Sequence, residues 1–507
     1  MESRTKNTKR NLISGFVYQV VSVALPFAVR TAILYILGAL YSGLTSLFAS
    51  ILQVLSLAEL GFSSAITYNM YKPIAEGDTD KVCALLNYYR KIYYVVGLII
   101  LIIGCCLLPW LPQLINGEPP EGINIYLLYL IYLMNTVLSY CLFAHKNALL
   151  TAVQRVDLRN KAYSITLIFS NLSHLLVVVL TQNVYLYAIV SILFNVANNI
   201  IVQRISKKYF PQYFCRGKVD LSEKKEIKKQ VVGIMVVKIG DTTRNSFDSI
   251  IISSYLGLVA VTIYSNYYYI FTAVYGFLMS INEAMLASVG NSITQEDVDK
   301  NYKDFNMFQF ISCGIVCVCC TCLLCLYQPF MKMWAGEELM LPFFEMSLFC
   351  LYFFILNSNN IGYVYFAASG LWWEAKWYTI MEAIGNFVLN IVLGRILGIS
   401  GVLLATIITI FFLQFIPRTG VIFRNYFQKN PHKYYLSTIS YGLATAVSCF
   451  LAYFICMHIP VEGFLCLFVR LLICVLVAPM VYVLFFSKTK VEKEAIDFLK
   501  GAFLKSN

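Results

Sequence analysis

The chain has 507 residues, of which 59% are hydrophobic and only 13% are charged, and its net charge is +12. Because a soluble globular chain carries about 25% charged residues, this composition excludes a soluble domain and indicates a polytopic membrane protein. The apolar runs are too long for the strands of a membrane barrel, so the spans are predicted to be helices. The positive charge is interpreted as affinity for anionic lipid headgroups, and no nucleic-acid partner is predicted.

Apolar segments follow one another along the whole chain, about fourteen in all and each near the ~20 residues that a bilayer requires. The first run contains Arg30 and lacks a small-residue cleavage site, so it is predicted to be a first span and not a removable signal peptide. The predicted spans are 11–37, 41–68, 92–115, 123–144, 160–181, 184–203, 231–256, 259–288, 305–331, 342–368, 376–397, 399–424, 434–458 and 463–487.

A polar stretch, 204–230, separates the first six spans from the rest. We predict an N-lobe at 1–203, a cytoplasmic linker loop at 204–230, a C-lobe at 231–424, and two further helices with a cytoplasmic tail at 425–507. The KKEIKK motif of the linker fits an amphipathic helix on the membrane surface and a solvated linker equally well.

The distribution of lysine and arginine predicts the orientation in the membrane. The linker alone contains nine of these residues, whereas the outer loops NGEPPEG, TQNV and MHIPVEG contain none. Lys332 is the one basic residue placed clearly outside. This bias predicts an even number of spans and both termini in the cytoplasm.

A short internal repeat supports the two lobes. ILGALYSGLTSLFASIL, 36–52, resembles YLGLVAVTIYSNYYYIF, 255–271, and aligns Gly38 with Gly257. Both copies lie at the predicted outer turn between the first two helices of a lobe, in the same orientation. The lobes are therefore expected to be related by an axis along the membrane normal.

Segment 231–256 is apolar at both ends and charged in its middle. Lys238, Asp241, Arg244 and Asp248 follow at steps of three, three and four residues, so they share one helical face. Charge at membrane depth costs roughly 2.5–3.5 kcal/mol per residue, so this face must contact protein or a water-filled cavity. Lys238 either attracts a phosphate from the cytoplasmic side or extends its side chain to the membrane interface.

Arg30 lies in the first span after Pro26, which is expected to kink the helix. The repeat places Arg30 at a depth similar to that of Asp248, so Arg30, Arg244 and Asp248 are predicted to meet where the lobes face each other. Such a cluster is either a positively charged binding surface for an anionic substrate or a structural ion-pair network. Buried ion pairs are poor stabilisers, which favours the functional interpretation.

Two carboxylates occupy related places in the second helix of each predicted lobe. Glu59 is deep enough to need a partner, which could be a coupling cation, a proton, an arginine or a neighbouring helix. Glu283 is placed nearer the interface. Three other charged residues, Glu382, Arg418 and Arg470, are predicted close enough to helix ends for their charged groups to reach the interface.

Sixteen cysteines invite a metal or disulfide interpretation. The motif CVCCTCLLC, 317–325, contains C-x-x-C spacings, but it lies in an apolar run without histidine or acidic neighbours. Cysteine in such a run is expected to act as a small hydrophobic residue, and no metal site is predicted. The asparagines of the sixth and tenth spans suit either a sugar-lined path or hydrogen bonds between helices. They are Asn195, Asn198, Asn199, Asn357, Asn359 and Asn360.

No catalytic pattern is found in the sequence. It has no P-loop and no Ser/His/Asp arrangement, and its four histidines are scattered. The predicted outer loops are too short to hold an external active site. The chain is therefore not predicted to be an enzyme.

Two stretches resemble a known family. LGALYSGLTSLFASILQVLSLAELGFSSAITYNMYKPIAEGD resembles the N-terminal signature of bacterial polysaccharide transporters of the multidrug/oligosaccharidyl-lipid/polysaccharide superfamily, and FDSIIISSYLGLVAVTIYSNYYYI is similar to its second-half counterpart. The resemblance implies two six-helix lobes around a central cavity plus two extra C-terminal helices. It implies alternating access in the bacterial cytoplasmic (inner) membrane. Members flip undecaprenyl-pyrophosphate-linked oligosaccharides for surface polysaccharide, such as capsule or lipopolysaccharide.

The same resemblance implies roles for particular residues. A first-helix arginine and cationic cavity residues are similar to those of related lipid II flippases, and they correspond here to Arg30 and Arg244. Asp241 and Asp248 stand beside Arg244 and reduce its free positive charge. No cofactor is implied; the driving force would be the membrane potential or a coupled H+ or Na+. The implied partners are membrane lipids, the lipid-linked oligosaccharide, and a polysaccharide polymerase with other assembly enzymes.

Two alternatives stay open. A cation-coupled drug antiporter of the same superfamily predicts a net acidic cavity, which Arg30 and Arg244 disfavour. A membrane glycan polymerase or ligase predicts a long outer loop with arginine or histidine, which the sequence lacks.

Overall fold

The computed structural model describes residues 4–59, 62–459 and 463–504, and within them the chain is helical, with no β-strand. The all-α polytopic membrane fold predicted from the sequence is confirmed. The α-helices of the described residues are α1 (Arg4–Ala32), α2 (Ala39–Leu55), α3 (Phe62–Glu76), α4 (Thr79–Cys106), α5 (Ile125–Cys141), α6 (Ala144–Ala152), α7 (Val156–Thr181), α8 (Val184–Tyr209), α9 (Leu221–Leu256), α10 (Leu258–Gln295), α11 (Val298–Ala335), α12 (Phe343–Asn357), α13 (Asn360–Ala368), α14 (Trp372–Thr409), α15 (Ile416–Ile422), α16 (His432–Met457), α17 (Gly463–Phe486) and α18 (Lys490–Leu504).

Nine helical segments of the described residues are long and apolar enough to cross a membrane, or ten if the bent pair α5 and α6 forms one span. This number is smaller than the predicted fourteen for three physical reasons. Two predicted spans fall in one continuous run, Trp372–Phe427, where Gly398 interrupts the helical backbone. Others are broken into two helices, as between α12 and α13. Segment 231–256 carries charges in its middle.

The chain divides into two compact units, 1–262 and 263–507. Helix α9, predicted to open the C-lobe, belongs to the first compact unit. The predicted lobes, with their boundaries at 203, 231 and 424, stay a prediction.

In the first unit, α1 packs against α7, and α9 packs against α2. The apolar core there includes Phe48 of α2, which makes an edge-on ring contact with Tyr129 of α5 at 5.4 Å between centroids. In the second unit, α11 packs against both α16 and α17. Cys313 and Cys317 of α11 are buried there in an apolar core with Tyr482 of α17, as expected of cysteine acting as a small hydrophobic residue.

Helices occupy both ends of the predicted linker. Helix α8 continues to Tyr209 and α9 begins at Leu221, so 210–220 lies between them. The KKEIKK motif forms the first turns of α9, which runs without a break for 36 residues. Ile227 and Val231 bury this part of α9 in an apolar core that also contains residues of α3, α4 and α6. The lysine-rich motif is therefore helical and continuous with the rest of α9, and its position on the membrane surface stays a prediction.

The two copies of the repeat form the same backbone turn. Gly38 joins α2 to the helical segment before it with φ 88° and ψ 170°, and Gly257 joins α9 to α10 with φ 84° and ψ 178°. This region of φ and ψ is essentially restricted to glycine, because a Cβ atom is strongly disfavoured there. The sequence match at these two glycines therefore corresponds to a shared helix–glycine–helix structure.

Candidate functional site

Arg30 lies three residues before the point where the first helix changes geometry. The backbone is α-helical through Pro26 and becomes a π-helix at Ile33–Leu37. Short π-helical segments are frequent at functional sites, because the extra residue in the turn changes the direction of the side chains around it. The Arg30 side chain is half-buried, and its guanidinium lies within electrostatic range of the Tyr187 hydroxyl of α8.

Three tyrosines form a cluster near Arg30, which we call the tyrosine cluster: Tyr41, Tyr132 and Tyr187. The Tyr41, Tyr132 and Tyr187 hydroxyls lie within electrostatic range of one another. The cluster brings together α2, α5 and α8. Hydroxyl groups can donate to a phosphate or to a sugar, and they add no charge of their own.

His174 of α7 extends the tyrosine cluster. Its ring lies 4.3 Å from that of Tyr187 between centroids, and its Nε2 is 3.0 Å from Ser191 Oγ. This histidine is buried, and its contacts with Tyr187 and Ser191 join α7 to α8.

Asparagines link α8 to α5 in the first unit. Asn195 Nδ2 donates to both the side-chain and backbone oxygens of Asn135, at 2.8 and 2.9 Å. Asn199 Nδ2 donates in turn to Asn195 Oδ1 at 3.0 Å. Of the two interpretations from the sequence, hydrogen bonding between helices is therefore observed for Asn195.

Arg244 and Asp248 lie one turn apart on α9 and are both buried, with 5% and 0% of the residue exposed. They are on a helix that packs against α2, which supports the inference that this charged face contacts protein. The side chains of Lys238 and Asp241, on the same face, are outside the described residues. The predicted meeting of Arg30 with Arg244 and Asp248 stays a prediction.

Glu59 and Glu283 are the two carboxylates of the second predicted helices that were candidates for ion coupling. The backbone of Glu59 ends the 3₁₀ turn Ser56–Glu59, but its side chain is outside the described residues. Glu283 lies on α10, and its side chain is exposed. The coupling roles of both residues stay predictions.

Glu382 is a buried charged residue whose position the sequence analysis misjudged. Helix α14 begins at Trp372, so Glu382 lies ten residues along it, about 15 Å from its start, and only 1% of the residue is exposed. Gln414 Nε2 donates to Glu382 Oε2 at 3.0 Å. The prediction that Glu382 reaches the interface is therefore wrong.

The sequence contains a signal for this burial. Glu382, Asn386 and Asn390 are spaced four residues apart, so they form one polar stripe on α14. Asn390 donates to Asn386, and Asn386 donates to Thr406 and Thr409 at 3.2 and 3.3 Å. A polar stripe on an otherwise apolar helix is expected to face protein or a cavity.

The partner of Glu382 lies in a second π-helix, Ile410–Phe415. One turn beyond Gln414, the guanidinium carbon of Arg418 lies 5.4 Å from the centre of the Tyr363 ring. The polar interior of the second unit therefore contains a carboxylate, an amide and an arginine on helices α14 and α15 and the π-helix between them.

No protein-family model and no curated protein match the sequence. Solved structures do share its fold. An inward-facing multidrug resistance MATE family transporter of the MOP superfamily has a TM-score of 0.65 at 12% identity, covering 80% of this chain and 98% of that one. The lipid II flippase MurJ, in an inward closed conformation, has a TM-score of 0.64 at 15% identity, with coverages of 94% and 98%.

A third similar structure is a transporter whose binding pocket is described by its polarity. A MOP superfamily transporter from Pyrococcus furiosus, described as having a binding pocket of reverse polarity, has a TM-score of 0.55 at 12% identity and covers 84% of this chain and 97% of that one. The chain is thus a multi-pass membrane protein with the fold of MOP-superfamily transporters.

Proposed function

We propose that this chain, with its MOP-superfamily fold, flips an undecaprenyl-pyrophosphate-linked oligosaccharide from the cytoplasmic to the outer leaflet by alternating access. The observation that carries the proposal is Arg30, a half-buried cation in a membrane-spanning helix beside the Tyr187 hydroxyl. A cation at membrane depth is costly, and in transporters it marks a substrate path. The fold is shared with a lipid II flippase whose match covers 94% of this chain.

In this proposal, the arginines recognise the pyrophosphate and the uncharged polar groups accompany the sugar. An arginine fork binds two phosphate oxygens with two parallel hydrogen bonds, whereas a lysine acts as a point charge. Arg30 and Arg244 would hold the pyrophosphate after Lys238 attracts it from the cytoplasmic side. The tyrosine cluster would donate to phosphate or sugar oxygens.

The membrane potential provides a driving force for this direction of transport. Moving one negative charge outward across a membrane whose inner side is 100 mV negative releases roughly 2.3 kcal/mol, and a pyrophosphate carries about two charges. Coupling to H+ or Na+ would use a carboxylate, for which the candidates are Glu59, Asp241, Asp248 and Glu283. A polymerase and other assembly enzymes would receive the flipped unit for capsule or lipopolysaccharide.

A drug antiporter is the second candidate, because MATE family transporters share the fold equally well. Such a protein would bind a cationic or neutral drug, for which a carboxylate such as Glu382 provides a suitable partner. We favour the flippase because Arg30 would repel a cation from the first unit.

The test measures the leaflet that holds the lipid-linked oligosaccharide in cells depleted of this protein. We expect accumulation in the cytoplasmic leaflet, restored to normal by wild type but not by Arg30→Ala. The matched control is Arg216→Ala, which removes an exposed arginine that pairs with Asp80 and should restore export fully.

Two outcomes would overturn the proposal. Accumulation in the outer leaflet would indicate a polymerase or ligase. Normal distribution of the oligosaccharide, together with increased sensitivity to cationic drugs, would indicate the antiporter.

A further inference from the structure

Three cysteines from three different helices converge in the second unit. Cys325 of α11, Cys456 of α16 and Cys474 of α17 have sulfur atoms that all lie within 4.8 Å of one another. Each residue is completely buried. We call this group the cysteine cluster. A fourth thiol, that of Cys322, lies one turn before Cys325 on α11 and close to Cys474.

We propose that the cysteine cluster binds one thiophilic metal ion, Zn2+ or Cu+. With metal–sulfur bonds of about 2.3 Å, the sulfurs around such an ion lie about 3.8 Å apart. The observed limit of 4.8 Å is therefore less than about 1 Å too wide, which small side-chain rotations can correct. Soft thiolate ligands select these two ions over magnesium and calcium.

The charge of the surroundings fits a bound ion. Three thiols would each lose a proton, so that Zn2+ and three thiolates would form a complex with one net negative charge. Arg470 carries the compensating positive charge, and its Nη1 donates to the backbone oxygen of Cys325 at 3.1 Å. The guanidinium also lies within electrostatic range of the Cys456 sulfur. A buried complex of zero net charge avoids most of the cost of burying an ion.

A disulfide explains the cluster less well. It would join two sulfurs at about 2.05 Å and leave the third cysteine without a role. A metal ion would engage all three. The bound ion would fasten α16 and α17 to α11.

The test measures metal bound to the purified full chain in detergent. After incubation with Zn2+, or with Cu+ without oxygen, and removal of free ions, we expect one ion per chain by mass spectrometry. Co2+ in the same site should give the absorption bands of thiolate ligands.

Cysteine variants separate this site from the other thiols. Cys474→Ser should lose tight binding, and Cys466→Ser should keep it, since Cys466 is also buried on α17 but lies outside the cluster. Cys456→Ser provides a second variant if the first does not fold. Arg470→Gln should weaken binding by roughly 10–100-fold, as for other groups that support metal ligands.

Three results would overturn the proposal. The first is that the wild-type chain binds neither Zn2+ nor Cu+. The second is that Cys474→Ser and Cys456→Ser both still bind the ion tightly. The third is that alkylation without prior reduction reveals a disulfide among the three cysteines.

Discussion

Arg30 in the first unit and Glu382 in the second are charged residues in membrane-spanning helices, and each is associated with a π-helix. Arg30 precedes the π-helix at 33–37, and the partner of Glu382 lies in the π-helix at 410–415. The described neighbours differ: the Tyr187 hydroxyl lies near Arg30, and the Gln414 amide donates to Glu382. A π-helix thus follows the cation in one unit and contains a hydrogen-bond partner of the carboxylate in the other.

This difference separates two chemical tasks. An arginine near hydroxyl groups can exchange them for the oxygens of an anionic substrate. A buried carboxylate can accept a proton or bind a metal cation. Under the proposed function, Arg30 would contact the substrate, and Glu382 joins the earlier candidates for ion coupling.

Substitution of Glu382 should have the largest effect. Glu382→Ala removes the acceptor for Gln414 and should lower the free energy of unfolding by about 2–3 kcal/mol. Glu382→Gln keeps an acceptor oxygen, so it should preserve stability and abolish export if the charge couples transport to an ion. Chemical unfolding in detergent measures the loss of stability, and the leaflet assay measures the loss of export.

The control is Glu374→Ala, which replaces an exposed glutamate in the first turn of the same helix. Normal export by Glu382→Gln would remove Glu382 from the coupling candidates.

The repeated glycine turn offers the next test, because its two copies have different surroundings. Alanine at either Gly38 or Gly257 should cost about 1–3 kcal/mol from backbone strain. At Gly257, the new Cβ would also lie 2.7 Å from the backbone oxygen of Asn116, whereas at Gly38 it would meet no atom within 4 Å. Gly257→Ala should therefore lower thermal stability in detergent more than Gly38→Ala. If the two variants lost the same thermal stability, the backbone at Asn116 would have to move aside freely to accommodate the new Cβ atom.

A smaller effect is expected from removing one hydroxyl of the tyrosine cluster. Tyr187→Phe should reduce export by about fivefold, which corresponds to ~1 kcal/mol for one hydrogen-bonding group. Tyr126→Phe, an exposed tyrosine on α5, should leave export unchanged. If both variants export normally, the hydroxyl beside Arg30 does not contribute to transport.

The smallest effect is expected at the exposed ion pair between Lys332 and Glu337, whose nitrogen and oxygen are 2.6 Å apart. Its hydrogen bond with Lys332 lowers the pKa of Glu337, so any stabilisation exists above the ordinary glutamate pKa and is lost as the pH falls through the lowered value. Because both side chains are exposed, Lys332→Ala should leave the melting temperature at pH 7 unchanged. If Lys332→Ala clearly lowered the melting temperature at pH 7 but not in acid, this ion pair would be stronger than expected.

The sequence predicted the features that depend on local patterns. Apolar runs located the helices, and the aligned glycines located a turn that the structure contains twice. These patterns are readable because a bilayer allows few backbone structures and because φ above zero strongly favours glycine.

Features that depend on tertiary contacts were missed. The C-x-x-C spacings drew attention to 317–325, but the converging cysteines are Cys325, Cys456 and Cys474, far apart in the sequence. The depth of Glu382 depended on where α14 begins, and sequence patterns locate helix ends poorly. The continuity of α9 was missed because its polar start looks like a loop. Its buried residues, Ile227 and Val231, are explained only by contacts with other helices.

That continuity gives α9 a long reach. Its 36 residues extend about 54 Å, and Ile227 near its start is buried among other helices. Asp248 lies 21 residues farther along, about 31 Å away, so a tilt of about 5° about Ile227 would move it by about 3 Å. A rotation of that size at the lysine-rich end would thus displace the buried charges by about the length of a hydrogen bond.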